Sequence, residues 1–195
     1  MEFDAIKDWF NRICFHTSRQ LVIHLFHLQA MERVLILGVG TELIIPSLPP
    51  GLWITGVDSN PVYLQSARKR TACRYVTLDL IDPRSLQYPN LYFDAAILNM
   101  ILGNLSDGTK VFQEAWRVIR PGGRLVILDR FLPDGLQTSS ILYLFGRITR
   151  VCYAGMNKRL IDVIGSPTDL VIIRIEPAAF NGYYQVVLIR KEQSS

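Results

Sequence analysis

The chain has 195 residues, 49% of them apolar and 19% charged, with a formal net charge of +4. That length suits one domain with its own core, and the composition excludes a disordered chain. So small a charge is not a nucleic-acid signature, and the scattered Cys14, Cys73 and Cys152 have no metal spacing, so they read as reduced core thiols of a cytoplasmic protein.

In chain order, Met1-Glu2-Phe3-Asp4 is acidic where a signal peptide is basic. From Phe3 to Leu28 apolar residues recur at helical spacing, and Arg33–Leu37 is a short buried strand ended by glycine. Thr41–Ile45 has room for a short helix before Pro46, Pro49 and Pro50. Leu52–Val57 reads as a second strand; Ser59-Asn60-Pro61 then supplies a cap and a first-turn proline for a helix through Arg70. Arg74–Leu78 and Phe93–Leu98 are further strands. Ser106-Asp107-Gly108 opens a helix with Val111, Ala115, Val118 and Ile119 on one face, and Arg120-Pro121-Gly122-Gly123 ends it before a strand at Arg124–Leu128. A helical region over 138–164, broken near Gly155, precedes the strands Leu170–Ile175 and Tyr183–Ile189, joined by a hairpin loop at Glu176–Gly182. The apolar window at Ile141–Phe145 meets Arg147 and Arg150 well short of the roughly 18 residues of a membrane span. Alternating strands and helices predict an α/β fold: a doubly wound sheet of seven strands, mostly parallel with a C-terminal antiparallel hairpin and helices on both faces.

In such a sheet the ligand lies outside the carboxyl ends of the strands. Gly38 and Gly40 follow the first strand, where missing Cβ atoms let the backbone approach a ligand. Asp58 at the second strand's tip can accept both hydroxyls of a ribose or cap the following helix. Asp79 at the third can accept from an adenine amino group or form a turn. A dinucleotide fingerprint needs a third glycine where Leu43 stands, which weakens a nicotinamide-dependent oxidoreductase.

Val34-Leu35-Ile36-Leu37-Gly38-Val39-Gly40-Thr41, Gly56-Val57-Asp58-Ser59-Asn60-Pro61, Phe93-Asp94-Ala95-Ala96-Ile97-Leu98 and Glu114-Ala115-Trp116-Arg117-Val118-Ile119-Arg120-Pro121-Gly122-Gly123 resemble the successive motifs of class I S-adenosylmethionine-dependent methyltransferases, which have a Rossmann-like fold. The Arg-Pro-Gly-Gly turn is similar to that of the subgroup acting on quinones and lipids, and the size and N-terminal helix resemble bacterial phosphatidylethanolamine N-methyltransferases. The resemblance implies that S-adenosylmethionine is the cofactor and that no metal is needed. It places Gly38, Val39 and Gly40 at the methionine and ribose, Asp58 and Ser59 at the ribose, Asp79 and Leu80 at the adenine, and Asn99 and Met100 on the methionine side. The helix carrying Glu114 and Trp116 is then structural. The chain departs from the pattern at Ile36, where the family has an acid, and at Glu42, where it has a glycine. Each charge-assisted hydrogen bond lost with that acid is worth about 1.5–3 kcal/mol.

The expected organisation is a single domain: residues 1–30 an N-terminal helical lid, 31–130 the cofactor-binding core, 131–195 the late helix and hairpin. Methyl transfer from a sulfonium needs orientation more than an acid/base pair, and none stands out. The acceptor is expected to be a small lipophilic molecule, a lipid headgroup amine or a quinone-like ring. It would be met by Phe3, Trp9, Phe10, Phe15 and His16 at one end, by Asp129, Arg130 and Phe131 after the fifth strand, and by Tyr143 and Tyr153, although core packing is the favoured reading for most of these aromatics. His24 and His27 read as surface or packing residues. Arg147, Arg150 and Lys158 share a helical face that could touch the inner surface of a membrane or simply be solvated. No nucleic-acid partner is expected. The alternative is a catalytically inactive methyltransferase-like scaffold, for which Ile36 and Glu42 speak.

Overall fold

Along the first strand, β1 (Arg33–Leu37), Val34 to Leu37 lose all solvent exposure, and alternate side chains enter two separate cores. Leu35 and Leu37 pack with Val57, Leu98, Phe112, Ala115 and Ile127; Val34 and Ile36 pack with Phe26, Ile44, Leu64 and Val126. A strand apolar on both faces must lie inside a sheet covered on both sides. The computed structural model describes residues 16–40, 44–71, 75–103, 105, 107–132, 158–179 and 182–193. Around β1 these form α1 (His16–Phe26), α2 (Ile44–Ser47), β2 (Trp53–Asp58), α3 (Pro61–Arg70), β3 (Val76–Leu80), β4 (Phe93–Asn99), α4 (Gly108–Val118), β5 (Ile119–Arg130), α5 (Leu160–Ile164), β6 (Leu170–Ala179) and β7 (Tyr184–Lys191).

The seven strands run in the order β3-β2-β1-β4-β5-β7-β6. β1 to β5 are parallel, and β7 is antiparallel to both β5 and β6. The α/β sheet with a C-terminal antiparallel pair is therefore as expected, with β7 inserted between β5 and β6. The order reverses at β1, so the crevice between the ends of β1 and β4 is the topological switch point.

Several boundaries move for local reasons. β3 starts two residues later than expected, at Val76, which leaves Asp79 inside the strand opposite Val57. The Pro121-Gly122-Gly123 turn does not separate α4 from β5. It is a bulge within β5, for Phe93 pairs with Ile119 while Ala95 pairs with Arg124. Ile119 is thus a strand residue. Gly122 has φ +76°, and a Cβ on Gly123 would come within 2.5 Å of the Ile119 side chain. β6 runs on through Ala179, beyond the loop expected at Glu176. α2 begins at Ile44 and contains Pro46, whose missing N–H costs nothing in a first turn. Of the late helical region, α5 lies among the described residues; residues 138–157 lie outside them. No helix among the described residues is long and apolar enough to cross a membrane.

The crossover from β3 to β4, Ile81–Tyr92, carries no helix and is held by α4. Arg117 donates to the carbonyls of Leu86 (2.9 Å) and Tyr88 (3.0 Å), to the Asn90 side chain (2.6 Å) and to Glu114 (2.8 Å). Glu114 in turn accepts from the Leu86 N–H at 2.8 Å. The expected structural role of this helix thus has a specific form: one ion pair closing a loop. The Arg117 hydrogen bonds hold the Glu114 carboxyl below the usual range, helped by the Leu86 N–H and opposed by burial. A depressed folded pKa contributes stability that is fully present above the unfolded value, about 4.3, and is lost as pH falls through the lower folded value. Glu114→Gln is expected to lower stability by about 1–3 kcal/mol at neutral pH and to flatten the acid limb below about pH 4. Urea unfolding across pH measures both; an unchanged acid limb would remove the clamp from this account.

Candidate functional site

The carboxyl ends of β1, β2 and β4 converge through backbone contacts that only certain residues permit. Gly38, at φ +81°, donates its N–H to the Val57 carbonyl at 3.0 Å and accepts from the Asn99 side-chain amide at 3.2 Å. A Cβ there would sit 2.3 Å from the Asn99 carbonyl oxygen. The first glycine is therefore required by the chain's own backbone. Gly40, at φ +45°, donates to Asp58 at 3.3 Å. The other Asp58 oxygen accepts from the Asn60 N–H at 2.9 Å.

Asp58 is not the cap of α3. Asn60 is, its side chain accepting from the Val62 N–H at 2.9 Å ahead of Pro61. Asp58 is 8% exposed, and its two oxygens, each holding one N–H, retain acceptor capacity. Asp79 lies in β3 and forms no turn; one of its oxygens accepts from the Tyr88 hydroxyl at 2.6 Å. Burial, and then this carboxylate, push the Tyr88 phenol upward. Leu80 beside it is 59% exposed, an apolar surface at the strand's end.

Asn99 is almost fully buried, and its side-chain oxygen has no hydrogen-bond partner among the described residues. Such an atom is costly unless a ligand satisfies it. Met100 follows in the left-handed region, φ +53°, with its N–H on the Leu128 carbonyl. Gly38, Gly40, Asp58 and Asn99 are thus brought together, with Asp79 and Leu80 on the neighbouring strand. Val39 differs: its side chain is buried in the lower core, so only its backbone can face the cleft. Ile36, in the position of the family's acid, is fully buried in that same core. Glu42 lies outside the described residues.

The residues expected to line the acceptor pocket after the fifth strand are corrected. Asp129 and Arg130 belong to β5, and Asp129, Arg130 and Phe131 are all buried. The Asp129 carboxylate accepts from the Leu102, Gly103 and Arg130 N–H groups at 2.7, 3.1 and 2.7 Å, gathering the loop after β4. Burial pushes its carboxyl up, against those donors. Lys158 does not lie on a helix; its ammonium donates to the Leu102 and Leu105 carbonyls at 3.3 and 2.9 Å. His16, His24 and His27 are exposed. Phe3, Trp9, Phe10, Phe15, Tyr143, Arg147, Arg150 and Tyr153 lie outside the described residues. Sequence reasoning missed Tyr88 and the gathering role of Asp129, because each partner is brought from another element by the fold. Among the described residues no cluster of His, Cys, Asp and Glu could hold a metal.

A sheet that reverses at β1, with an antiparallel strand inserted between β5 and β6, is the Rossmann-like fold that methyltransferases share. Residues 35–127, a little under half of the chain, match a family described as a methyltransferase domain. The chain is 32% identical over 120 residues to a demethylmenaquinone methyltransferase of Thermus thermophilus, covering 59% of this chain and 54% of that protein. It is 31% identical over 106 residues to a phosphatidylethanolamine N-methyltransferase of Cereibacter sphaeroides, covering 52% of each. The chain spans about half the length of the curated relatives it matches. The fold is shared with a crystal structure of a SAM-dependent methyltransferase from Methanosarcina mazei, with a TM-score of 0.67 at 19% identity over 89% of this chain and 98% of that one.

Gly38→Ala is expected to cost about 2–4 kcal/mol, since it combines a strained φ with a backbone clash. Ile36→Asp, which restores the family's acid, is expected to cost about 3 kcal/mol or more, because position 36 is enclosed by apolar side chains. Thermal and urea melts of the two variants test this; wild-type stability in either would contradict the packing described.

Proposed function

We propose that the carboxyl edge binds S-adenosylmethionine and that the protein transfers its methyl group to a small lipophilic acceptor, a quinone-like ring or a lipid headgroup amine. The observation that carries the reading is the Asp58 carboxylate, fixed by the Gly40 and Asn60 N–H groups beside the Gly38 turn and the unsatisfied Asn99 oxygen. Bound there, the cofactor supplies an activated methyl group on a sulfonium. Asp58 would accept the two ribose hydroxyls with the lone pairs its backbone donors leave free. Asn99 would offer its buried oxygen to the ammonium end, taking over a task that Ile36 cannot perform. Asp79 would receive the adenine amino group on the oxygen that Tyr88 does not occupy, with Leu80 against the base. Gly38 and Gly40 would let the backbone approach closely, with Val39 and Ser59 beside them and Met100 bounding the methionine side.

The family's quinone and lipid enzymes support the acceptor class. A carbon or nitrogen nucleophile needs only to be held in line and kept dry, so the absence of a proton-transfer pair from the described edge is compatible with catalysis. Asp129 contributes by fixing the loop after β4 through the Leu102 and Gly103 N–H groups. Ile36 favours the second reading, a domain that binds the cofactor without transferring its methyl.

Calorimetry is expected to show saturable binding of S-adenosylmethionine, weakened about 10- to 100-fold by Asp58→Ala and by Asn99→Leu. No binding at millimolar cofactor would end the reading. Transfer of labelled methyl groups into quinone or phospholipid extracts distinguishes catalysis from binding alone; binding without transfer to either supports the second reading.

A further inference from the structure

At the opposite edge of the sheet, the amino ends of the first four strands frame a cleft of about 470 Å³. Its walls are aromatic. The Trp53 and Tyr75 rings lie 4.7 Å apart, and the Arg33 guanidinium sits 4.5 Å from the centre of the Tyr92 ring. The register makes this a cross-strand row: Arg33 pairs with Trp53, and the pairing of Ile54 with Val76 sets Tyr75 beside Trp53. Thr55 and Thr77, paired next in the ladder, form the floor.

The cleft is open because the Ile81–Tyr92 crossover carries no helix. Its apolar side chains Ile81, Leu86 and Tyr88 join the core instead, the Tyr88 ring lying edge-on to Phe93 at 5.3 Å with its hydroxyl on Asp79. Trp53, Tyr75 and Tyr92 stay 46%, 50% and 39% exposed. Single exposed apolar residues are ordinary; a contiguous aromatic row around a concavity is the signature of a binding surface. The volume falls within the roughly 300–1,000 Å³ of small-molecule sites.

The charge around the cleft selects the ligand further. Asp94 is held by Arg120 at 2.7 Å and by the Arg33 backbone N–H at 2.7 Å. The Arg33 Nε stands 3.8 Å from it, beyond hydrogen-bond distance. Two guanidinium groups therefore share one carboxylate, and Arg33, about half exposed, keeps its donors for an incoming anion. We propose that this cleft binds a planar aromatic small molecule bearing an acidic group, its ring against Trp53, Tyr75 and Tyr92 and its anion on Arg33. The site is separate from the cofactor edge, since Trp53 and Asp58 are opposite ends of β2, about 17 Å apart at the usual rise per residue.

Two sources share this chemistry, a nucleobase with a phosphate and an aromatic carboxylate, so adenosine monophosphate and 2-naphthoate are the probes. Calorimetric titration of the full chain is expected to show at least one saturating with a dissociation constant below about 1 mM. Affinity should fall about tenfold or more in Trp53→Ala and in Arg33→Gln and stay unchanged in Asp58→Asn. Saturation by the nucleotide alone assigns the phosphate source, and by naphthoate alone the carboxylate. The proposal is overturned if neither saturates, or if binding is lost in Asp58→Asn and kept in the two cleft variants. Should Trp53→Ala fail to fold, Arg33→Gln, at a half-exposed side chain, decides the matter alone.

Discussion

The site depends on how closely the β1 turn approaches the end of β4. The Gly38 backbone rests against the Asn99 carbonyl with no room for a side chain, while its own carbonyl holds the Asn99 amide and its N–H reaches β2. Three strand ends are thereby drawn into one crevice. Everything proposed for the cofactor follows from that closure: Gly40 comes within reach of Asp58, Asp58 is held in one orientation, and Asn99 is left with a buried acceptor beside the turn. In a doubly wound sheet this is also where the strand order reverses, the place where helices on opposite faces leave a crevice.

The two faces of the sheet are closed differently, and the difference shapes the surface. Below, α1, α2 and α3 pack on Val34, Ile36, Ile54 and Val126. Above, α4 covers β4 and β5, but a loop without a helix passes over β2 and β3 and must be tied down by Glu114 and Arg117. The loop's reach is short. It places Tyr88 against Asp79 and Phe93 and leaves Trp53, Tyr75 and Tyr92 exposed at the amino ends. The two edges thus carry opposite surfaces: backbone donors and carboxylates at one, aromatic rings and guanidinium groups at the other.

Ile36 connects the core to the question of catalysis. In the family's pattern an acid at this position belongs to the site, whereas here the side chain is one of the fully buried residues of the lower core. Asn99 lies on the adjacent strand and supplies an acceptor near the same turn. A task associated with one strand can pass to its neighbour because β1 and β4 end side by side. Asp129 works similarly at the end of β5, fixing the loop after β4 by taking its N–H groups.

The sequence by itself determined the strands that are apolar on both faces, a cap within Ser59-Asn60-Pro61, the glycine turn and the carboxylate of Asp58 at its strand's end. Each of these is a local pattern, set by periodicity, by backbone freedom or by side-chain reach within a few residues. It also carried the motifs that match a methyltransferase domain over residues 35–127. Only the tertiary structure decided that Pro121-Gly122-Gly123 is a bulge, because a bulge exists only relative to a partner strand. It likewise decided that Asp129 and Lys158 are spent on backbone groups, that Tyr88 engages Asp79, and that Trp53 and Tyr75 meet at the amino edge. Those pairings join residues far apart in the chain, and no local spacing records which of the possible partners the packed sheet brings within hydrogen-bond distance.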